Sequence, residues 1–449
     1  MLRDRTRNTD DSGIDTLVEE VAQFSHPLNT REDLDPLIER IGDAHFVLLG
    51  EASHGTSEYY QWRARLSSRL IAEKGFRFVA VEGDWPDCYR INRYVKGYAD
   101  AGKSARETLH AFNRWPTWMW ANWEIAAFVE WMRKFNENKS TKAGFYGLDV
   151  YSLWESMESI LRYLEDKDPQ AVQAAMQAYQ CFEPYGEDPQ SYAWSTRMVP
   201  ENCEDEVIDL LLEMQQRANW YDGDPEAGFN AEQNALVIKN AERYYRAMVR
   251  TDSGSWNVRD LHMMETIDRL VDFHGPETKA IVWAHNTHIG DARYTDMARA
   301  GMINIGQLAR EQLRKEGVVL VGFGSYSGSV IAGKAWGAPM ERMDVPDGRP
   351  SSWEDVLHQA HNPTENRQSV NHLLIFDRER TSDEFQKIRG HRAIGVVYNP
   401  EFESRGNYVP TVLPRRYDAF LYIDKTEALH PLHIEPQEVY PPDLYPWGI

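Results

Sequence analysis

HFVLLGEASHG, residues 45–55, sets four apolar residues in a row and then delivers a glutamate and a histidine, Glu51 and His54, just beyond them. An apolar run this short, closed by glycine, reads as a strand buried on both faces with a polar loop at its carboxyl end. The pattern repeats. FRFVAVEGDW (76–85) supplies Glu82 and Asp84, GFYGLDVYS (144–152) supplies Asp149, and KAIVWAHNTH (279–288) supplies His285 and His288. GVVLVGFGSYSG (317–328), HLLIFD (372–377), RAIGVVYNP (392–400) and AFLYID (419–424) read as further strands. Helical spacing separates the early ones: Tyr60, Arg63, Leu66, Leu70 and Ile71 recur at three- and four-residue steps over 57–74, with Gly75 placed to end the helix. Strand–helix alternation predicts an α/β fold, a three-layer α/β/α arrangement around a mainly parallel sheet.

From 153 to 275 the character changes. Val207, Leu210, Leu211 and Met214 follow i, i+3, i+4, i+7, and similar stripes recur over 231–250 and 257–273. This predicts a large helical insertion (153–275) between an N-terminal half of the core (1–152, with a Trp-rich helical segment) and a C-terminal half (276–449). The last stretch, PLHIEPQEVYPPDLYPWGI, is expected to run extended.

Open parallel sheets bind ligands outside the carboxyl ends of their strands. Four separate runs here end in acid or imidazole groups. Histidine titrates near neutrality, so it can take a proton from water and return it to a leaving group, and an adjacent carboxylate fixes its tautomer. Glu51, His54, Glu82, His285 and His288 are the candidate catalytic set. Arg63, on the helix after His54, is expected to face the sheet edge, where a guanidinium would hold a carboxylate or a developing oxyanion. Taken singly, each residue has an ordinary role as a loop contact or helix cap, and Asp84 and Asp149 suit capping as well as substrate binding. FNRWPTWMWANWEIAAFVEWMRKF (112–135) concentrates five tryptophans. They read either as a buried helix or as an aromatic wall for a bulky substrate, with Trp118 and Trp120 as its candidates; residues two apart cannot share a helix face.

Bulk properties narrow the partners. Net charge is −21, from 70 acidic and 49 basic side chains, which disfavours nucleic acid and anionic membranes. The apolar runs are too short for a membrane-spanning helix, and MLRDRTRNTDDSG lacks the apolar core of a signal peptide. Cys88, Cys181 and Cys203 form no CxxC pair, which suggests a reducing, cytoplasmic setting without a disulfide framework. A small-molecule substrate is the expected partner, with no cofactor and no metal ligand assigned.

Several motifs carry no weight. GYADAGKS (97–104) fits the letters of a phosphate loop but follows a charged, helix-like segment instead of a strand. GFGSYSG (322–328) does not fit a dinucleotide fingerprint, although its backbone N–H groups could serve the rim of a site. There is no G-x-S-x-G elbow, so a hydrolase built on these residues would activate water directly. His285-x-x-His288 and Glu51-x-x-His54 leave a metal-dependent hydrolase as an alternative, and a non-catalytic sugar- or polyketide-binding protein as another.

LLGEASHGTSEYYQWR, FVAVEGDWPDCYRINRY, WPTWMW, GLDVYSLWES, IVWAHNTHIGD, VGFGSYSGSVIAG, RAIGVVYNPE and RYDAFLYIDKT, in this order, make the sequence resemble the erythromycin esterase family, in a branch often labelled succinoglycan biosynthesis proteins. The resemblance covers nearly the whole chain. It implies metal-independent hydrolysis of a carboxylic ester or lactone by activated water. His54 would be the base beside Glu51, with Arg63, Glu82, His285 and His288 matching the family's other site positions. It does not imply a particular substrate.

Overall fold

The computed structural model describes residues 11–433 apart from 168–171, 186–188, 199–201, 218–223, 251, 314–316, 362–370 and 378. The Pro-rich tail lies, from residue 434 onward, outside the described residues. The described strands are β1 (Ser25–Pro27), β2 (Phe46–Leu49), β3 (Phe78–Asp84), β4 (Gly144–Asp149), β5 (Ala280–Trp283), β6 (Val318–Gly333), β7 (Met340–Val345), β8 (His372–Ile375), β9 (Arg389–Arg392), β10 (Tyr408–Thr411) and β11 (Ala419–Thr426). Nine of them form one sheet in the order β1-β8-β11-β6-β2-β5-β3-β4, with β7 paired to the far end of β6. From β11 across to β4 every pairing is parallel. β1, β7 and β8 join antiparallel.

Alternation along the central strands shows why both faces need helices. Phe46 and Leu48, Phe78 and Ala80, and Ala280 and Val282 enter one apolar cluster. Val47 and Leu49, Val79 and Val81, and Ile281 and Trp283 enter another on the opposite face. The first cluster is completed by helices Asp252–His274 (Met263, Ile267) and Trp353–His361 (Val356, Leu357), the second by helices Ser57–Lys74 (Leu66, Leu70) and Trp123–Asn136 (Phe128, Val129). Helix Ser57–Lys74 ends where the sequence suggests, with Gly75 at φ 74°, a left-handed conformation that costs glycine little. A third cluster holds helices drawn from 153–248 around Leu153, Ile160, Phe182, Leu210 and Tyr244.

Three expectations need correction. RAIGVVYNP is not a strand of the main sheet: β9 stops at Arg392, pairs only with β10, and the residues beyond make isolated bridges. GFGSYSG lies inside β6, where Gly322 and Gly324 make room for Phe420 and Tyr417 and their backbone serves the ladder. Cys181 and Cys203 form a disulfide, their Cα atoms 5.8 Å apart, because helix Val172–Phe182 packs beside helix Glu204–Arg217. A separation of 22 residues carried no motif to announce it.

Candidate active site

Strands β2, β5, β3 and β4 are neighbours, so their carboxyl ends open on one place. A cavity of about 280 Å³ lies there, and His54, Glu82, Asp84, Asp149, His285 and His288 all line it.

Glu51 and His54 leave β2 in a tight loop. His54 Nδ1–H donates to Glu51 Oε1 at 2.8 Å, which turns Nε2 into the lone-pair side of the ring. Behind Glu51, its other oxygen meets Arg63 Nη2 at 2.7 Å, and Arg63 is wholly buried between the rings of Tyr60 and Trp283. Arg63 therefore does not reach the cavity. Glu51 stands between it and His54, which makes Arg63 a support for the carboxylate and removes it from the oxyanion role the sequence offered.

From β5, His285 caps the four-residue helix Asn286–Ile289: its Nδ1 accepts from the Thr287 N–H at 3.3 Å. The ring proton then belongs on Nε2. Burial, followed by the nearby His54, holds His285 well below the usual histidine range, so it is a neutral hydrogen-bond donor. Its ring centroid lies 4.9 Å from that of His54. Asn286 locks the two loops together. Its N–H donates to the Glu51 carbonyl, and its side-chain amide pairs with both backbone groups of Phe323. Gly50 is required opposite, because a Cβ there would stand 2.1 Å from Asn286 Oδ1.

Glu82 at the end of β3 accepts from the His285 N–H and from Arg259 Nη2, each at 2.7 Å. Burial pushes its carboxyl up, but His288, Arg259 and His54 outweigh that and hold it well below the ordinary range. It is a fixed negative charge and a poor base. Asp149 pairs with Arg259 through both oxygens, at 2.9 and 2.7 Å. Asp84 meets Arg114, with Arg114 Nε 2.9 Å from Oδ2, and makes no cap bond to the helix after it.

Arg259 and Asp260, which grip Asp149, Glu82 and His288, were missed from sequence. They sit mid-helix in Asp252–His274, where charged residues are ordinary. The only available signal was two charges inside a stripe that is otherwise buried. The tryptophans divide. Trp118 is buried away from the cavity, whereas Trp120 lines it and donates its indole N–H to the Glu82 carbonyl. Trp115, Tyr151 and Trp336 complete an aromatic wall. Trp115 donates to the Ala338 carbonyl at 2.9 Å and meets Trp336 edge to face, 4.7 Å between centroids. Among the described residues no group of three or more His, Cys, Asp or Glu side chains is arranged to hold a metal ion, and no helix is long and apolar enough to cross a membrane.

Fold and site together define an α/β protein with a histidine–carboxylate centre at the ends of adjacent parallel strands. The chain belongs to the erythromycin esterase family, whose sequence model matches residues 71–426. Erythromycin esterase type II of Escherichia coli is 27% identical over 154 residues, 33% of this chain and 35% of that relative, so the match spans about a third of the relative's length. The fold is shared with the crystal structure of a succinoglycan biosynthesis protein (TM-score 0.72, 22% identity, 93% of this chain and 99% of that one). It is shared also with a Bacillus cereus protein (TM-score 0.75, 19% identity, 94% and 99%). A mutant of the erythromycin esterase EreC in its open conformation gives a TM-score of 0.65 at 17% identity, over 92% and 96%.

Proposed function

We propose that this protein is a hydrolase that opens a carboxylic ester or lactone with water activated by His54. The observation that carries the reading is the Glu51–His54 dyad on the cavity wall: Glu51 holds the Nδ1 proton and leaves Nε2 as the base. In this reading Nε2 takes a proton from water as the oxygen attacks the carbonyl carbon. His285, neutral with its proton on Nε2, stands beside His54 as a donor to the oxyanion, and Arg259, which lines the same cavity, adds positive charge. The carbon–oxygen bond then breaks, and a second histidine protonates the leaving alcohol. Family membership supports hydrolysis in general. The aromatic wall of Trp115, Trp120, Tyr151 and Trp336 suits a substrate with a bulky apolar body.

A panel of esters and lactones assayed with the wild type and His54→Ala in parallel tests this. A positioned base contributes roughly 10²–10⁴-fold, so turnover is expected to fall by at least about a hundredfold with the melting temperature little changed. Near-normal turnover of a confirmed substrate by His54→Ala would sink the assignment.

A further inference from the structure

His288 is buried, and three of the residues around it, Trp256, Arg259 and Asp260, come from helix Asp252–His274. Its Nδ1 lies 3.0 and 3.1 Å from the two oxygens of Asp260, which also accepts the Ile305 N–H at 3.0 Å. One ring face rests on Trp256, 4.5 Å between centroids and 4° from parallel. Nε2 faces a donor and an acceptor at once: Arg259 Nη1 at 3.1 Å and Glu82 Oε1 at 3.4 Å. A buried histidine offered only a carboxylate there would be locked charged, and one offered only a guanidinium would be locked neutral. Here the neutral ring accepts from Arg259 and the charged ring donates to Glu82, so neither state strands a buried polar group.

We propose that His288 is the proton store of the reaction, and that Asp260 and Trp256 are positioning residues that set how tightly it holds its proton. The inference rests on the hydrolase reading above. As water adds to the carbonyl carbon, one of its protons goes to His54 Nε2. As the ester carbon–oxygen bond breaks, the leaving oxygen takes the proton from His288 Nε2. His54 then releases its proton to solvent and His288 regains one, so both rings return to their starting states.

The titratable and charged groups facing His288 are Asp260 and Arg259 from the helix, Glu82 from β3 and the neutral His285 from its own turn. Burial draws His288 down, but Asp260 and then Glu82 outweigh burial and Arg259 and raise it to about 9. The flat indole against the ring favours the cation further.

The test follows the His288 imidazole by NMR on protein labelled with ¹⁵N-histidine, with His288→Asn identifying the signal. Asp260→Asn keeps an acceptor but removes the charge, and its midpoint is expected to fall by at least about one pH unit, a tenfold loss of proton affinity. Trp256→Leu leaves both carboxylates, is expected to lower the midpoint by less, and supplies the readout should Asp260→Asn not fold. A midpoint unmoved in every folded variant overturns the proposal. With an ester substrate in hand, the alkaline limb of kcat should move down by the same interval while KM holds, and a drop in kcat without that movement counts against it. A midpoint shift in a protein that turns over no ester would instead overturn the hydrolase reading and leave the roles of Asp260 and Trp256 standing.

Discussion

At the scale of single residues, the Arg63–Glu51–His54 line shows how sequence and structure divide the work. Glu51 and His54 were legible because they follow an apolar run directly, and the end of a parallel strand is where ligands bind. Arg63 was legible as a member of the set but not in its role, since spacing along a helix does not say which side of a carboxylate the guanidinium will occupy. Its position has an energetic consequence. Removing one partner of a buried ion pair leaves the other charged and unsolvated, at a cost of about 3–5 kcal/mol. Arg63→Met is therefore expected to lose stability of that order in urea denaturation, and to impair turnover by releasing Glu51. An unchanged denaturation midpoint would show that Glu51 had found another partner. Trp118 and Trp120 illustrate a second limit: the helical spacing rule said that they must diverge, but not which would reach the cavity.

Among the elements, helix Asp252–His274 was predicted as a helix of the insertion with nothing to mark it as part of the site. Its contribution arises from packing: it closes over the ends of β3, β4 and β5, so Arg259 and Asp260 reach side chains more than a hundred positions away on β3 and β4, or some thirty on from them after β5. The same helix predicts a pH response. Burial is the main reason that His262 is drawn down to about 4 and His274 to about 3, the latter helped by the Lys96 charge. Unfolded histidines protonate near 6.5, so on acidification the unfolded state takes up protons that the folded state refuses. Their contribution is complete above about pH 6.5 and is lost progressively toward pH 4 and then 3. His288 acts in the opposite direction, contributing fully below about 6.5 and losing its share as pH rises through about 9. Melting temperature should thus fall on the acid side, and His262→Asn should flatten part of that slope. The Cys181–Cys203 bond invites a further measurement. Closing a loop of this size is worth roughly 3 kcal/mol in the chain-entropy account, so Cys203→Ser is expected to lower the melting temperature while sparing the proposed ester hydrolysis.

Over the whole molecule, the fold class was readable because short buried runs alternate with helical stripes, and the central parallel strands follow from that rhythm. The antiparallel edges β1 and β7 were not, since β1 has only three residues and β7 carries the exposed charges Glu341, Arg342 and Asp344; β8 was legible as a strand, HLLIFD, but not in its direction. How the helices of 204–274 are tied to the core was likewise out of reach, because it depends on pairs distant in sequence. Lys96 Nζ contacts Glu226 at 2.6 Å, Tyr146 and His274 join the same network, and Arg93 meets Asp224 at 3.0 Å. Lys96→Met would leave the buried Glu226 charge without its cation, with Asn92, Tyr98 and Tyr146 still donating to it, and a loss of up to about 3–5 kcal/mol is expected to appear as faster hydrogen exchange in helix Pro225–Met248 than in β2 or β5. Equal acceleration across the whole chain would mean that these helices and the sheet unfold as one unit.

The rim of the cavity is fastened lightly. Among the contacts between Trp115 and the turn after β6 are an indole hydrogen bond and an edge-to-face ring contact, the former bridging 223 positions of chain. A net hydrogen bond and an aromatic pair together amount to about 1–3 kcal/mol, only a few times thermal energy. A latch of that strength alone would stand open for a small but constant fraction of time. A bulky substrate of the proposed reaction would then need no separate trigger to enter, and its waiting time at the threshold would be set by heat alone.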